Sequence, residues 1–431
     1  MNYSEARAYL DQHSWRGSVY GIDTMTHLTA YLDHPDRRLQ IIHIAGTNGK
    51  GSTVAHLAAI LEAAGYTTAS YTSPEVRTYL DRFMVCRQPV EAEAFAQALT
   101  QVAQAADRMA EDGLPHPTVF EMELAAAWLL APVGPRTVFL METGLGGQMD
   151  ATNVVEKPIL TVLTAIGMDH QALLGQTLTA IAEAKAGIIK PGVPVVSWPQ
   201  AAAAAEVIRV RAAANQAPLY VLEPTLVKAL GPVDGREAFS YRGEPYQTAL
   251  LGLHQATNAA GALLCVEVLR DLGYTISEKD CRQGLLATSW PARMERLPFS
   301  RPLYLDGAHN PPAMAVLVDN MDHIAPQGRW RVLLHIFKDK DAAGMLALLN
   351  GRADELIITE INTDRSMPAQ DLATLAETQA PACQVTLKPR LEEAIRYIKS
   401  SARDNDYFII CGSLSHLEAA RQCLLEESEM L

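Results

Sequence analysis

The segment HIAGTNGKGSTV, His43 to Val54, sets Gly46, Gly49 and Gly51 around Lys50 and follows them with Ser52 and Thr53. Those residue types suit a phosphate. Glycines let backbone amides approach an anion and tolerate positive φ, a lysine reaches terminal phosphates, and a hydroxyl can join the shell of Mg2+. The common phosphate-loop pattern wants Gly five places before the Gly-Lys pair and Ser or Thr directly after it. Ile44 and Gly51 stand there, so the spacing is a shortened form. Apolar residues precede Gly46 and a helical pattern begins near Ser52. The loop therefore lies between a strand end and a helix N-terminus, where unpaired amides and the helix dipole attract an anion. A glycine-rich turn with an exposed lysine is the plainer alternative, and the loop alone does not separate a kinase, a hydrolase and a ligase.

The elements that must hold this loop are legible as alternating patterns. LQIIHIA, YTTASYTS, RTVFLMETG, PILTVLTAIG and GVPVVSW read as buried strands, separated by helical stretches such as STVAHLAAILEAAG and TLTAIAEAKAGIIK. This alternation predicts a parallel sheet covered on both faces. Ala201 to Ala205 reads as helix surface. After WPARMERLPFSRP the style restarts with PLYLDGAH, a helix around PPAMAVLVDNM, RWRVLLHIF, DELIITE, a helix at LEEAIRYIKS, and YFIICGS. The fold class is thus α/β, with a phosphate-loop parallel-sheet domain over 1–296 and a smaller doubly wound α/β domain over 297–431, the boundary lying near Leu297.

Composition bounds the partners. The chain has 431 residues, 48% hydrophobic and 20% charged, enough for two or three folded domains. Its 36 basic and 49 acidic side chains leave a formal charge of -13, which argues against nucleic acid and against an anionic membrane surface. Any anion must be held locally. Six cysteines are scattered without a CxxC pair, so buried free thiols in a reducing cytosol are expected. The N-terminus carries no targeting pattern and no run approaches a membrane span, so a cytoplasmic location is expected.

Taken together, YGIDTM, HIAGTNGKGST, YTSPEV, VFEMELAAAWL, METGLGGQMDATN, LTAIGMDHQALLG, IAEAKAGIIKPGVPVV, GLHQATNAAGAL, SWPARMER, LYLDGAHNPPA, FKDKD and CGSLSHLEAA resemble, nearly end to end, the Mur-type ATP-dependent amide ligases. Within them the likeness is to folylpolyglutamate synthase and dihydrofolate synthase, whose phosphate loop has the same shortened form. The resemblance implies a Mur-ligase-like fold for both domains and a definite chemistry. A carboxylate is phosphorylated by ATP, and the amine of an amino acid attacks the acyl phosphate. Such a transition state calls for cations more than for a nucleophile.

The resemblance also assigns residues. Thr47, Asn48, Gly49, Lys50, Gly51, Ser52, Thr53, Asn258, Arg293 and Asp306 would contact ATP, and Ser52, Ser73, Glu142, His170 and Lys185 would hold Mg2+, Lys185 as its carbamate. Lys50, His170 and Lys185 would carry catalysis. Gly21, Ile22, Phe120, Met149, Asp150, Ala151 and His309 would line the pterin, folate or amino-acid sites. A monovalent cation such as K+ is a further candidate, and family members are often monomers. Each residue alone has an ordinary reading. Ser73 can cap a turn before Pro74, Glu142 can be a paired strand-end acid, His170 can sit with Asp169 at a helix start, and Lys185 reads as a solvated helix lysine.

Three positions depart from the family pattern: Glu75-Val76 where His-Leu is common, Gln148 where Arg is common, and Ala184 where Glu is common, with Glu183 one place earlier. A lost arginine and a gained glutamate are expected to make the pocket less cationic by about two charges and, unless other groups compensate, to weaken binding of an anionic carboxylate. The leading reading is a ligase adding L-glutamate to dihydropteroate, to reduced folate, or to both. The alternatives are a paralogue joining an amino acid to another aromatic or heterocyclic carboxylate, a phosphate-loop NTPase or kinase, and a catalytically dead nucleotide-binding regulator.

Overall fold

The computed structural model describes residues 1–14, 21–75 and 77–426; Tyr20 of YGIDTM and Val76 of YTSPEV lie outside the described residues. The chain forms two compact units. The first comprises Met1–Lys228, Ser240–Gln247 and Thr257–Thr288; the second comprises Ala229–Phe239, Thr248–Ala256 and Ser289–Leu431.

The first unit is built on β1 (Gln40–Ala45), β2 (Thr67–Tyr71), β3 (Phe83–Val85), β4 (Gln88–Pro89), β5 (Thr137–Glu142), β6 (Leu160–Leu163), β7 (Val195–Ser197) and β8 (Leu219–Val221). They lie in the order β4-β3-β2-β5-β1-β6-β7-β8. The six strands from β2 to β8 pair in parallel. The parallel reading fails at one edge, where β2, β3 and β4 pair antiparallel because β3 and β4 are joined by a short turn at Cys86 and Arg87. All six residues of β5 and five of six in β1 are buried, as expected of strands covered on both faces.

Register decides what meets the glycine loop. Ile44 lies opposite Glu142 on one side and Val162 on the other, so β5, β1 and β6 end together. The helix Lys50–Ala63 follows at once, and every residue from Ser52 to Leu61 is buried. A helix apolar on all sides needs cover all round. The helix Glu278–Ala287 crosses it at Gly284, where an added Cβ would come within 2.4 Å of the Ile60 Cα. Apolar side chains from Leu10 through Phe95 and Trp128 to Phe139 form one core, and those from Leu163 through Ile181 to Ile208 another. Of the run Ala201 to Ala205, only Ala204 is buried, in the helix Ala202–Ala214.

A three-stranded sheet, β11-β10-β9, is made of β9 (Val227–Val233), β10 (Arg236–Tyr241) and β11 (Glu244–Thr248). The second unit's sheet contains β12 (Glu295–Leu297), β13 (Leu303–Leu305), β14 (Arg329–Leu334), β15 (Glu355–Ile358), β16 (Gln384–Leu387) and β17 (Asp406–Cys411), in the order β12-β13-β17-β14-β15-β16. Only β12 runs antiparallel to its neighbour. Leu297, where the sequence suggested a boundary, is the last residue of that edge strand. Among the described residues the six cysteines form no disulfide, but the expectation of burial fails for Cys86, which is exposed in the β3–β4 turn, and for Cys423, which is half-buried.

Candidate active site

The loop from Gly46 to Lys50 is anchored by its neighbours in the sheet. The amides of Thr47 and Asn48 donate to the Ala165 carbonyl at 2.8 and 3.2 Å, and the Thr47 hydroxyl exchanges hydrogen bonds with Gly167. Gly46 packs so closely on Thr164 that an added Cβ would lie 1.8 Å from its Oγ1. Gly49 has φ of 90° and would place a Cβ 2.8 Å from Asn258 Oδ1. Glycine is therefore demanded twice, once by contact and once by contact and handedness. Gly51 needs no such freedom, since it lies inside the helix that starts at Lys50. Thr53 donates its hydroxyl to the Gly49 carbonyl at 2.8 Å, and Ser52 is buried. Asn258 is fixed by the Trp198 indole, which donates to its Oδ1 at 3.1 Å.

Two lysines converge on the loop. Lys50 Nζ donates to the carbonyls of Gly46 and Thr47 at 3.1 and 3.3 Å and lies 3.7 Å from the buried Glu142 carboxylate. Lys185 Nζ donates to the same Gly46 carbonyl at 2.8 Å, and its residue is only 5% exposed. Burial, then the neighbouring Lys50 charge, lower the Lys185 ammonium to about 7, against the opposing pull of Asp169, Asp150 and Glu142. The reading of Lys185 as a solvated helix lysine is wrong. It lies four residues after Ile181 and three after Ala182, on the buried stripe of the helix Leu178–Ala186, a signal present in the spacing.

The other candidate residues are placed as follows. His170 has φ of 48°, is half exposed, and holds its ring 3.8 Å from Asp169, whose Oδ1 accepts the His170 amide at 2.9 Å. Ser73 is half-buried and precedes Pro74 across a cis peptide. Among the described residues no three His, Cys, Asp or Glu side chains gather as a preformed metal cluster. What this region offers a divalent cation is a hard carboxylate, Glu142 at the end of β5, the buried hydroxyl of Ser52 in the helix after the loop, and a glycine cradle a Cβ would fill. That donor chemistry fits Mg2+ with phosphate oxygens completing its shell.

Gly21 donates its amide to the Met149 carbonyl at 3.3 Å, and Ile22 begins the helix Asp23–Tyr31. Met149 is 48% exposed, whereas Asp150 and Ala151 are buried. Burial raises the Asp150 carboxyl, though it accepts from the Leu145 amide at 2.7 Å and the Thr152 amide at 3.0 Å. The Phe120 ring packs 5.7 Å from that of Tyr71 and crowds Gly144, where a Cβ would lie 2.6 Å away. In the second unit, Asp306 accepts the amides of Met294 and Ala308 at 3.0 and 2.9 Å, and burial raises it despite Arg293. Arg293 donates to the Ala292 carbonyl at 3.1 Å, and His309 Nδ1 lies 2.7 Å from the Gly307 carbonyl.

Two departures are neighbours. The Gln148 amide donates to the Ala184 carbonyl at 2.7 Å, and Gln148 lines a cavity of about 470 Å3 with Glu183, Val207 and Arg211. The third, Glu75, is ion-paired, but it shares one cation with the buried Glu123, so its charge is compensated only in part. It is paired with Arg82, which sequence reasoning missed because seven positions in an irregular segment carry no periodic signal.

The chain is similar to known proteins over nearly its whole length. Residues 292–414 match the model of the Mur ligase, glutamate ligase domain. A dihydrofolate synthase/folylpolyglutamate synthase of Bacillus subtilis is 34% identical over 433 residues, covering 98% of this chain and 99% of its own. Mycobacterium tuberculosis folylpolyglutamate synthase, solved with ADP and AMPPCP, superposes with a TM-score of 0.86 at 27% identity, covering 98% of both chains. A bifunctional folylpolyglutamate synthase/dihydrofolate synthase with Mn, AMPPNP and L-glutamate bound gives a TM-score of 0.82 at 28% identity over 99% of this chain and 98% of its own.

Proposed function

Because the chain belongs to the folylpolyglutamate synthase/dihydrofolate synthase family of Mur-type ligases, we propose that it joins L-glutamate to dihydropteroate, to a reduced folate, or to both, with ATP as the driving nucleotide. It is an ATP-dependent acid–amino-acid ligase. The acceptor carboxylate attacks the terminal phosphorus of ATP, releasing ADP and leaving an acyl phosphate. The amine of glutamate then attacks the carbonyl carbon, phosphate departs, and an amide remains.

The observation that carries this reading beyond a plain NTPase is Lys185, buried against the carbonyl of Gly46 with its ammonium lowered to about 7. A phosphate loop needs one lysine, and Lys50 supplies it. A second that is half neutral near pH 7 is suited to add CO2 at Nζ, losing a proton and becoming an anionic oxygen donor. With Glu142, Ser52, Ser73 and His170 it would hold Mg2+, which supplies charge neutralisation as phosphate is transferred. Lys50 neutralises the phosphates, and the loop amides with Thr47, Asn48, Thr53 and Asn258 orient the nucleotide. In the second unit Arg293 and Asp306 are assigned to the nucleotide and His309 to the amino acid. Gly21, Ile22, Phe120, Met149, Asp150 and Ala151 are assigned to the pterin-bearing acceptor.

We further assign residues 1–296 to ATP and acceptor and 297–431 to the amino acid, and propose a monomer in the cytoplasm; among the described residues no helix is long and apolar enough to cross a membrane. The direct test incubates purified protein with ATP, Mg2+ and L-glutamate, with dihydropteroate or tetrahydrofolate, and follows ADP and product mass. A product heavier by one glutamyl unit is expected. ADP without that product points to an NTPase, and product only with another carboxylate points to a paralogue.

A further inference from the structure

Arg82 sits between two carboxylates. Its Nη1 donates to Glu123 at 2.5 Å, while its Nε and Nη2 both reach Glu75 Oε2, at 2.7 and 2.6 Å. The two acids are held very differently. Glu123 has a side chain 2% exposed and accepts the hydroxyls of Tyr71 and Tyr79 at 3.0 and 2.5 Å. It neutralises Arg82 and has the guanidinium, two phenols and the protein interior to keep it in place. Glu75 has a side chain 36% exposed and, among the hydrogen bonds given by the structure, meets only Arg82. Arg82 does not need it for charge balance, since two carboxylates share one cation.

The edge Glu75 occupies matters. The Nε and Nη2 side of a guanidinium is the fork that takes an incoming carboxylate. Glu75 follows directly on Ser73 and Pro74, and the Tyr71 that anchors Glu123 packs on Phe120. Both Ser73 and Phe120 belong to the region assigned above to Mg2+ and acceptor, and the inference rests on that assignment. We propose that Glu75 is a specificity-determining residue that fills the carboxylate fork of Arg82, so that an acceptor bearing a second carboxylate beside the reacting one must displace it. An acceptor with a single carboxylate, which is the one phosphorylated, makes no such demand. The site is thereby biased toward dihydropteroate-type acceptors and against those already carrying a glutamyl group.

The experiment compares wild type with Glu75→Gln, which keeps size and exposure while removing the charge. Binding of dihydropteroate and of tetrahydrofolate is measured by equilibrium dialysis in the presence of AMPPCP and Mg2+, with steady-state KM and kcat alongside. The expected result is about three- to tenfold tighter binding of tetrahydrofolate, less than about twofold change for dihydropteroate, and a change in KM with little in kcat. Adding salt should shrink the wild-type discrimination. Equal shifts for both acceptors, or weaker binding of tetrahydrofolate, overturn the proposal by assigning Glu75 to packing of the segment. If wild type binds acceptors without forming an amide, the ligase reading fails while the binding ratio still decides the role of Glu75.

Discussion

Each unit buries a basic side chain, and the two are treated in opposite ways. Arg331 in β14 is 1% exposed and donates to Glu355 at 2.6 Å, to Asp406 at 3.1 Å, and to the backbone and hydroxyl of Ser401. Burial pushes the Glu355 carboxyl up, but hydrogen bonds from Thr386, Tyr397 and Arg331 outweigh it and hold it below its ordinary value. Asp406 is held low in the same way by the Arg403 amide, Arg329 and Arg331. Lys185 is almost as buried, yet its ammonium donates to a carbonyl, that of Gly46, and the neighbouring Lys50 charge opposes it. A satisfied cation is architecture. An under-compensated one gives up its proton readily and is available for chemistry.

The largest expected effect lies on the architectural side. Arg331→Ala removes the ion pair of the buried Glu355 and leaves Asp406 with Arg329 alone, and should cost about 3–5 kcal/mol of stability. Urea unfolding should show a much lower midpoint, while turnover per folded molecule stays near wild type. Arg331→Met with Glu355→Gln sharpens the point by recovering part of the loss. A small midpoint shift in Arg331→Ala would mean the network is solvated and the contrast false.

Next, Lys185→Ala should leave folding intact and lower ligase turnover by about a hundred- to a thousandfold, the scale for removing one charge-stabilising group. Near-normal turnover in the purified variant would remove Lys185 from the mechanism. Incubation with 13C-bicarbonate adds a spectroscopic check, because a carbamate resonance expected in wild type should vanish in the variant.

A smaller effect concerns pH. The Lys185 ammonium falls from 10.5 to about 7 on folding, so between those values the unfolded chain binds a proton the folded chain does not. Stability contributed by this group therefore rises with pH through that window, by at most about 1.4 kcal/mol per pH unit, and the charged form is a liability below it. Lys185→Met should flatten the rise in urea midpoint between about pH 7 and pH 10. An unchanged slope would place the amine in solvent. Arg331→Met should leave the slope as it is, since a guanidinium does not titrate there.

Much of this was legible in the chain. The glycines around Lys50, the apolar strands, the restart after WPARMERLPFSRP and the match to a ligase family all follow from local composition and motif order. The regular elements carry a period that sequence displays directly. The antiparallel edge at β3 and β4, the exposure of Cys86, and the Glu75 to Arg82 pairing were not legible, because each depends on how irregular connections turn.

By itself the sequence determined the cradle and the elements that flank it, since strand burial and glycine freedom are properties of a few consecutive residues. Only the tertiary structure decided what surrounds them. Parallel pairing needs long crossovers, so β5 enters between β2 and β1, and residues 139 positions apart, Gly46 and Lys185, meet at one carbonyl. The same folding sets Glu123 and Glu75 on either side of one guanidinium. Charge balance is a property of such neighbours. It therefore appears only once the chain has closed around them.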